Sequence, residues 1–256
     1  MNSHLSGMKN MKDKNILQDL KHISRSYFPE LFPGDIHIWY AFYHNNDKLV
    51  EKCSNALTSD ESEHISYYKF LKDQNSFIVS RGLLRILLSA YLHISTDELC
   101  LLKHSKGKPY QLNDPNLFFN LSNSGDCCIF AFSNNGEVGI DIEKIRPLND
   151  LDEMIKMNFN TFEQEYINKT ATDRLHRFYK FWTIKEAFLK AIGEGMRITP
   201  DKLEFTCKNE EFKLQSFAGI IESEEWIFSD FSPNDEYKGT LAHKNNLNTI
   251  KMLKFN

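Results

Sequence analysis

The sequence predicts an α+β fold built as two similar lobes in tandem. Three observations lead there. Strand-like and helix-like stretches fall into separate blocks, the same order of elements runs twice along the chain, and a turn signal, Asn134-Asn135-Gly136, stands between the two runs. Each run reads as βααβββ with a junction near Asn135, a repeat of architecture and not of letters. The chain then divides into a poorly ordered arm (1–34), a first lobe (35–135) and a second lobe (136–256).

The arm is rich in Lys, Asn and Ser, with a weak apolar pattern that is helical at most over Ile16–Ile23. Ile36 to Tyr43 reads as a strand of mixed burial. Thr58 and Glu61 have capping-box spacing and open a helical stretch to about Leu71. A longer helix runs from about Gln74 to Leu92, with Phe77, Leu84, Leu88 and Tyr91 on its apolar face. Short extended segments follow at Cys100–Lys103, Phe118–Leu121 and Cys128–Phe132. The second run has a strand at 138–143, a helix after Thr161 and a longer helix from about Asp173 to Ile192. Its strands lie near 203–207, 212–217, 225–229 and 239–243.

With 256 residues and 41% hydrophobic content the chain can build its own core. Its five cysteines leave one over and form no C-x-x-C spacing, which argues against a disulfide framework or a zinc site. The first residues lack the apolar run of a signal peptide, and no stretch approaches the length of a membrane span, so a soluble cytoplasmic protein is expected. A net charge of -4 gives no reason to expect nucleic acid, although local basic groups can still hold one small anion.

Two stretches carry chemistry. In Val138-Gly-Ile-Asp-Ile-Glu143, strand alternation sends Ile140 and Ile142 to one face and Asp141 and Glu143 to the other. Two adjacent carboxylates suit either a solvent-facing edge or a hard cation such as Mg²⁺. Phe181 to Gly195 reads as an amphipathic helix with Gly193 at its C-terminus. Glu186 and Lys190, four apart, lie one above the other, with Lys185 beside them. Alone they are an ordinary solvated pair. A third carboxylate from Glu186 would complete an oxygen set for the cation.

Gly139-Ile-Asp141-Ile-Glu143 followed by Trp182-Thr-Ile-Lys185-Glu186-Ala-Phe-Leu-Lys190 resembles the paired signature of the 4'-phosphopantetheinyl transferases of the Sfp type. Gly107-Lys108-Pro109 and Phe119-Asn-Leu-Ser122-Asn123-Ser124 resemble that family's two earlier motifs. The resemblance implies transfer of the phosphopantetheine arm of coenzyme A to a serine of an apo acyl or peptidyl carrier protein, with release of 3',5'-ADP. It also implies a pseudo-twofold fold with the site between the lobes, and a monomer. Carriers of peptide, polyketide or fatty acid synthesis fit equally.

On that resemblance Asp141, Glu143 and Glu186 hold Mg²⁺, with Mn²⁺ an alternative. Glu186 or a water beside it takes the serine proton, Lys190 neutralises or protonates the departing phosphate oxygen, and Lys185 is a third catalytic candidate. Lys108, Lys103, Ser122, Asn123, Arg81 and His64 are the expected grip on coenzyme A. Arg85, four residues from Arg81, is the alternative phosphate contact or a structural ion pair. Asn123 stands where the family usually has histidine, and His64 where relatives often have Lys or Arg. An amide carries no charge and histidine only a partial one, so weaker or more pH-sensitive binding of coenzyme A is expected. Carrier docking maps to roughly Arg146–Phe162, where Met154, Met157, Phe159 and Phe162 are either an exposed patch or core, flanked by Lys144 and Lys156. A non-catalytic relative that binds carrier or nucleotide, and an unrelated Mg²⁺-dependent phosphohydrolase, are the competing readings.

Overall fold

The computed structural model describes residues 28–194, 198–208, 211–217, 220–221, 226–244 and 249–256. Most of the expected arm, the Ile16–Ile23 helix included, lies outside them. Its described end packs down, with Phe28 stacked on Trp39 at 5.4 Å between ring centroids.

The first lobe begins with β1 (Asp35–Phe42), two short helices α1 (Asp47–Ser54) and α2 (Ser59–His64), and the long helix α3 (Leu71–Leu92). A small hairpin of β2 (Leu101–Lys103) and β3 (Pro109–Gln111) precedes β4 (Phe118–Ser124) and β5 (Cys127–Ser133). The second lobe repeats the plan with β6 (Val138–Lys144), α4 (Leu151–Asn158), α5 (Thr161–Ile167) and the long α6 (Arg174–Ile192). The hairpin β7 (Leu203–Lys208) and β8 (Glu211–Phe217), with β9 (Ile220–Ile221), leads to β10 (Trp226–Phe231) and β11 (Tyr237–Lys244). Strand order is β4-β5-β1 in one lobe and β10-β11-β6 in the other, antiparallel throughout. The last strand, β12 (Thr249–Lys254), crosses back and pairs in parallel with β1, extending the sheet of the first lobe.

Several local details differ from the sequence reading. The capping box of Thr58 and Glu61 forms, but α2 stops at His64 and runs through a 3₁₀ turn, so the chain breaks before α3 instead of continuing to Leu71. Helix α1, capped by Asn46, and helix α4 are additional. Both are about two turns long, too short for an apolar period to repeat.

Helix α3 is buried on nearly all sides from Ile78 to Ser89, as a helix apolar around its circumference must be. It packs on one face of β1 and β5 through Trp39, Ala41, Phe130 and Phe132. The opposite face of those strands, Ile36, Ile38, Ile129 and Ala131, meets Ile140, Ile142 and Leu241 of the second lobe, so the two sheets share a third core. Helix α6 lies across β6 and β11. The contact is close enough that a Cβ on Gly139 would stand 2.0 Å from the Ala187 carbonyl oxygen and 2.4 Å from the Ala191 nitrogen. No helix among the described residues is long and apolar enough to cross a membrane.

Burial also reaches a titratable group. His37 is fully buried, its Nδ1 2.7 Å from the Tyr91 hydroxyl, which accepts a hydrogen bond from Trp39 Nε1 at 2.8 Å. Its Nε2 is buried without a partner. Burial above all, and then the nearby Lys251, push its pKa down to about 4.

Two outcomes are expected. Gly139→Ala forces β6 off α6 and costs about 1–3 kcal/mol in urea unfolding, as overpacking does; unchanged stability would mean that the strand and helix have room between them. Because the folded pKa of His37 lies below its unfolded value, its neutral form supports the fold above pH 6.5, and that support fades as pH falls towards about 4. Thermal midpoints measured across this window should fall less steeply for His37→Gln than for the wild type.

Candidate active site

The close approach at Gly139 brings two chemical elements together. Asp141 and Glu143 leave β6 on the face turned to α6, and Glu186 and Lys190 leave α6 one turn apart on the face turned to β6. Lys190 Nζ donates to Asp141 Oδ1 at 2.6 Å and to Ser122 Oγ at 2.8 Å. Ser122 Oγ donates in turn to the same Asp141 oxygen at 2.9 Å, leaving Asp141 Oδ2 buried without a partner. Ser124 Oγ donates to Glu143 Oε2 at 2.7 Å. Burial and then the charge of Asp141 raise the pKa of Glu143, and the same two causes raise that of Glu186 while Lys190 works against them. Two glutamates with raised pKa values and an aspartate with an orphaned buried oxygen form a donor set suited to a hard cation. As the side chains stand, no three His, Cys, Asp or Glu groups among the described residues are drawn in far enough to hold a metal.

Lys185 is not part of this cluster. One residue before Glu186 points about 100° round the helix, and Lys185 runs into the core of the second lobe at 0% exposure. Its Nζ donates to Glu163 Oε2 at 2.6 Å and to the carbonyls of Asn158, Pro200 and Leu203 at 3.0, 2.9 and 3.0 Å. Burial lowers the lysine and raises the glutamate, each offset by the other's charge. Away from the carboxylates, Lys185 ties α4, α5 and the segment leading into β7 to α6.

Of the expected coenzyme A residues, His64, Arg81 and Lys103 come together around a cleft of about 390 Å³, floored by Phe77 and Leu101 and bordered by Asp60 and Glu61. His64 also sits among Tyr67, Tyr68 and Phe77, with ring centroids 5.1 to 5.8 Å away. Arg85 does not share the cleft. Its Nε donates to Glu61 at 2.6 Å and one terminal nitrogen to the Thr96 carbonyl at 3.2 Å, a structural pair. Exposed Asn123 donates to Ser76 Oγ at 2.9 Å, five residues before Arg81 on α3. Lys108 turns the other way. It pairs with Glu137 and donates to the Ala191 carbonyl at 2.7 Å, and with the neighbouring Lys106–Glu194 pair it clasps the C-terminal end of α6.

The expected docking segment splits between both of its readings. Met154 and Phe159 pack into the second core, whereas Met157 is 73% and Phe162 43% exposed. Phe162 lines a separate cleft of about 740 Å³ with Tyr166 and Arg177. Lys144 pairs with Asp126 and Glu236 at 3.5 and 3.2 Å. The sequence reading assigned nothing to Glu137 or to Ser124, although the alternation of Asn120, Ser122 and Ser124 already marks one polar face of β4.

Two family models match the chain. One, described as the 4'-phosphopantetheinyl transferase superfamily, spans residues 137–242. The other, described as 4'-phosphopantetheinyl transferase, N-terminal, spans 44–135. The chain belongs to the 4'-phosphopantetheinyl transferases.

Among its relatives, the 4'-phosphopantetheinyl transferase HetI of Nostoc sp. is 27% identical, over 83% of this chain and 89% of that protein. The 4'-phosphopantetheinyl transferase gsp of Aneurinibacillus migulanus is 33% identical over 57% of this chain and 60% of its own. The human L-aminoadipate-semialdehyde dehydrogenase-phosphopantetheinyl transferase is 29% identical over 71% and 65%. The holo-[acyl-carrier-protein] synthase of Thermotoga maritima superposes with a TM-score of 0.34 at 19% identity, over 41% of this chain and 61% of that one.

For the transferase, the two roles of lysine separate experimentally. Lys185→Met strands a buried carboxylate and should cost about 3–5 kcal/mol in chemical unfolding. A variant that kept full stability and lost only turnover would return Lys185 to the catalytic set.

Proposed function

We propose that the transferase moves 4'-phosphopantetheine from coenzyme A to a serine of an apo carrier protein or domain in a Mg²⁺-dependent reaction. The observation that carries this is the convergence of Asp141, Glu143, Glu186 and Lys190 where β6 meets α6, against the first lobe's β4. The serine oxygen forms a bond to the phosphorus next to the pantetheine, the bridging P–O bond breaks, and 3',5'-ADP leaves carrying the extra negative charge. A divalent cation held by Asp141, Glu143 and Glu186 would supply charge neutralisation at the pyrophosphate.

The chain's own residues do the rest. Glu186 is kept more basic than an ordinary carboxylate by burial and by Asp141, which suits it to accept the serine proton directly or through a water. Lys190 is anchored between Ser122 and Asp141, and it holds a positive charge where the leaving oxygen develops negative charge. Arg81 and Lys103 supply the positive charges of the cleft for the 3'-phosphate, with His64 as a further hydrogen-bonding group and Phe77 as an apolar surface for the nucleotide. Asn123, exposed and bonded to Ser76, would offer that phosphate at most a neutral hydrogen bond. Lys108 serves coenzyme A through the position of α6, since its ammonium already has two partners. The exposed Met157 and Phe162, with Lys156 beside Met157, suit an acidic amphipathic helix on the carrier.

Intact-mass measurement of apo carrier domains incubated with the protein, coenzyme A and Mg²⁺ should show gain of one phosphopantetheine, lost on chelation or in Asp141→Ala. Glu186→Gln should lower kcat by about 10²–10⁴-fold, whereas Arg81→Ala should chiefly raise the KM for coenzyme A. Hydrolysis of coenzyme A without transfer to any carrier would overturn the reading.

A further inference from the structure

We propose that Ser122 and Ser124 are positioning residues for the carboxylates of Asp141 and Glu143, each tying up one oxygen so that the other is presented to the cation. The inference rests on the metal role proposed above. It starts from the seam between the lobes. Strands β4 and β6 belong to different sheets and share no backbone ladder. Their contact is made by side chains at every second residue of β4. Asn120 Oδ1 accepts from the Ile140 N–H at 2.9 Å, Ser122 Oγ meets Asp141, and Ser124 Oγ accepts from the Lys144 N–H at 3.0 Å while donating to Glu143.

Each serine hydroxyl is therefore held from both sides. Ser122 receives a hydrogen bond from Lys190 and gives its own to Asp141 Oδ1, and Ser124 receives one from a backbone N–H and gives its own to Glu143 Oε2. A hydroxyl with both functions committed cannot turn away, so it fixes the torsion of the carboxylate that it touches. At Asp141 the result is visible: Oδ1 carries both donors and Oδ2, buried, carries none. A buried carboxylate oxygen without a donor is unfavourable by itself and becomes favourable when a cation takes its place in the account. Because the serines come from one lobe and the carboxylates from the other, this orientation exists only while the lobes stay joined.

The test is Mn²⁺ binding to the whole chain, followed by electron paramagnetic resonance without coenzyme A or carrier, with Asp141→Ala as reference. Ser124→Ala should weaken Mn²⁺ binding by about 10–100-fold, the usual effect of losing a partner of a ligand. Ser124→Thr, which keeps the hydroxyl, should stay close to the wild type. Asn120→Ala opens the same seam without touching a carboxylate, so it should lower the melting point and leave Mn²⁺ affinity in place. If Ser124→Ala does not fold, Ser124→Cys keeps the volume with a weaker donor and should show an intermediate loss. Equal affinity in Ser124→Ala and wild type, or equal losses in Asn120→Ala and Ser124→Ala, would overturn the proposal. A wild type that binds no Mn²⁺ would overturn it together with the metal role.

Discussion

The contact on which the rest of the molecule depends is the one between β6 and α6. A strand normally keeps its distance from a helix because a side chain stands between them, and at Gly139 none does. The strand settles onto the helix backbone near Ala187 and Ala191, so the next residues on that face, Asp141 and Glu143, come level with Glu186 and Lys190. A larger residue at 139 would hold the two carboxylates of the strand away from the third on the helix. The glycine of the Gly-Ile-Asp-Ile-Glu stretch is thus as much part of the site as the acids, although it contributes no functional group.

How much of this is readable in the sequence differs from residue to residue, for physical reasons. The alternation in β6 and the i, i+4 spacing of Glu186 and Lys190 are local periodicities, and both survive folding because each element buries its apolar side. The two-lobed order is legible for the same reason. Lys185 is not, because its burial depends on Glu163 and three carbonyls contributed by 158, 200 and 203, all distant in sequence. A lysine beside a catalytic-looking glutamate gives no local sign that an acceptor cage awaits it. Lys108 is similar: Gly107 and Pro109 announce a turn, but not that Glu137 and the end of α6 receive the ammonium. The return of β12 to β1 is a parallel pairing across more than two hundred residues, and nothing in the Thr249–Lys254 strand names its partner.

The two lobes make one frame and use it differently. In both, three antiparallel strands carry a long helix on one face and the shared core on the other, and β12 adds a parallel fourth strand to the first lobe. The helix-facing residues of β1 are His37, Trp39 and Ala41, which fill the space beneath α3 with rings and leave one titratable group, kept neutral by burial. Those of β6 are Gly139, Asp141 and Glu143. The first lobe thus spends this interface on stability, and its helix is buried on nearly every side. In the second, the same interface is opened by charge, and α6 keeps a polar edge where Glu186 and Lys190 emerge.

Charge balance explains why that opening needs the neighbouring lobe. Three carboxylates and one ammonium leave the cluster net negative, and burial makes the repulsion stronger than it would be in water. Lys190 touches only one Asp141 oxygen, and its charge offsets the repulsion at Glu143 and Glu186 only in part. Ser122 and Ser124 add neutral donors to Asp141 and Glu143, which stabilise each carboxylate without cancelling the charge that a cation would need. Lysines in the serine positions would neutralise the cluster and remove the reason for a divalent ion to enter, whereas alanines would remove the hydrogen bonds that orient each carboxylate. Hydroxyl donors from the facing strand hold the carboxylates aimed while the local charge remains unmet, and a lobe interface built from side-chain hydrogen bonds in place of a backbone ladder is what puts them there.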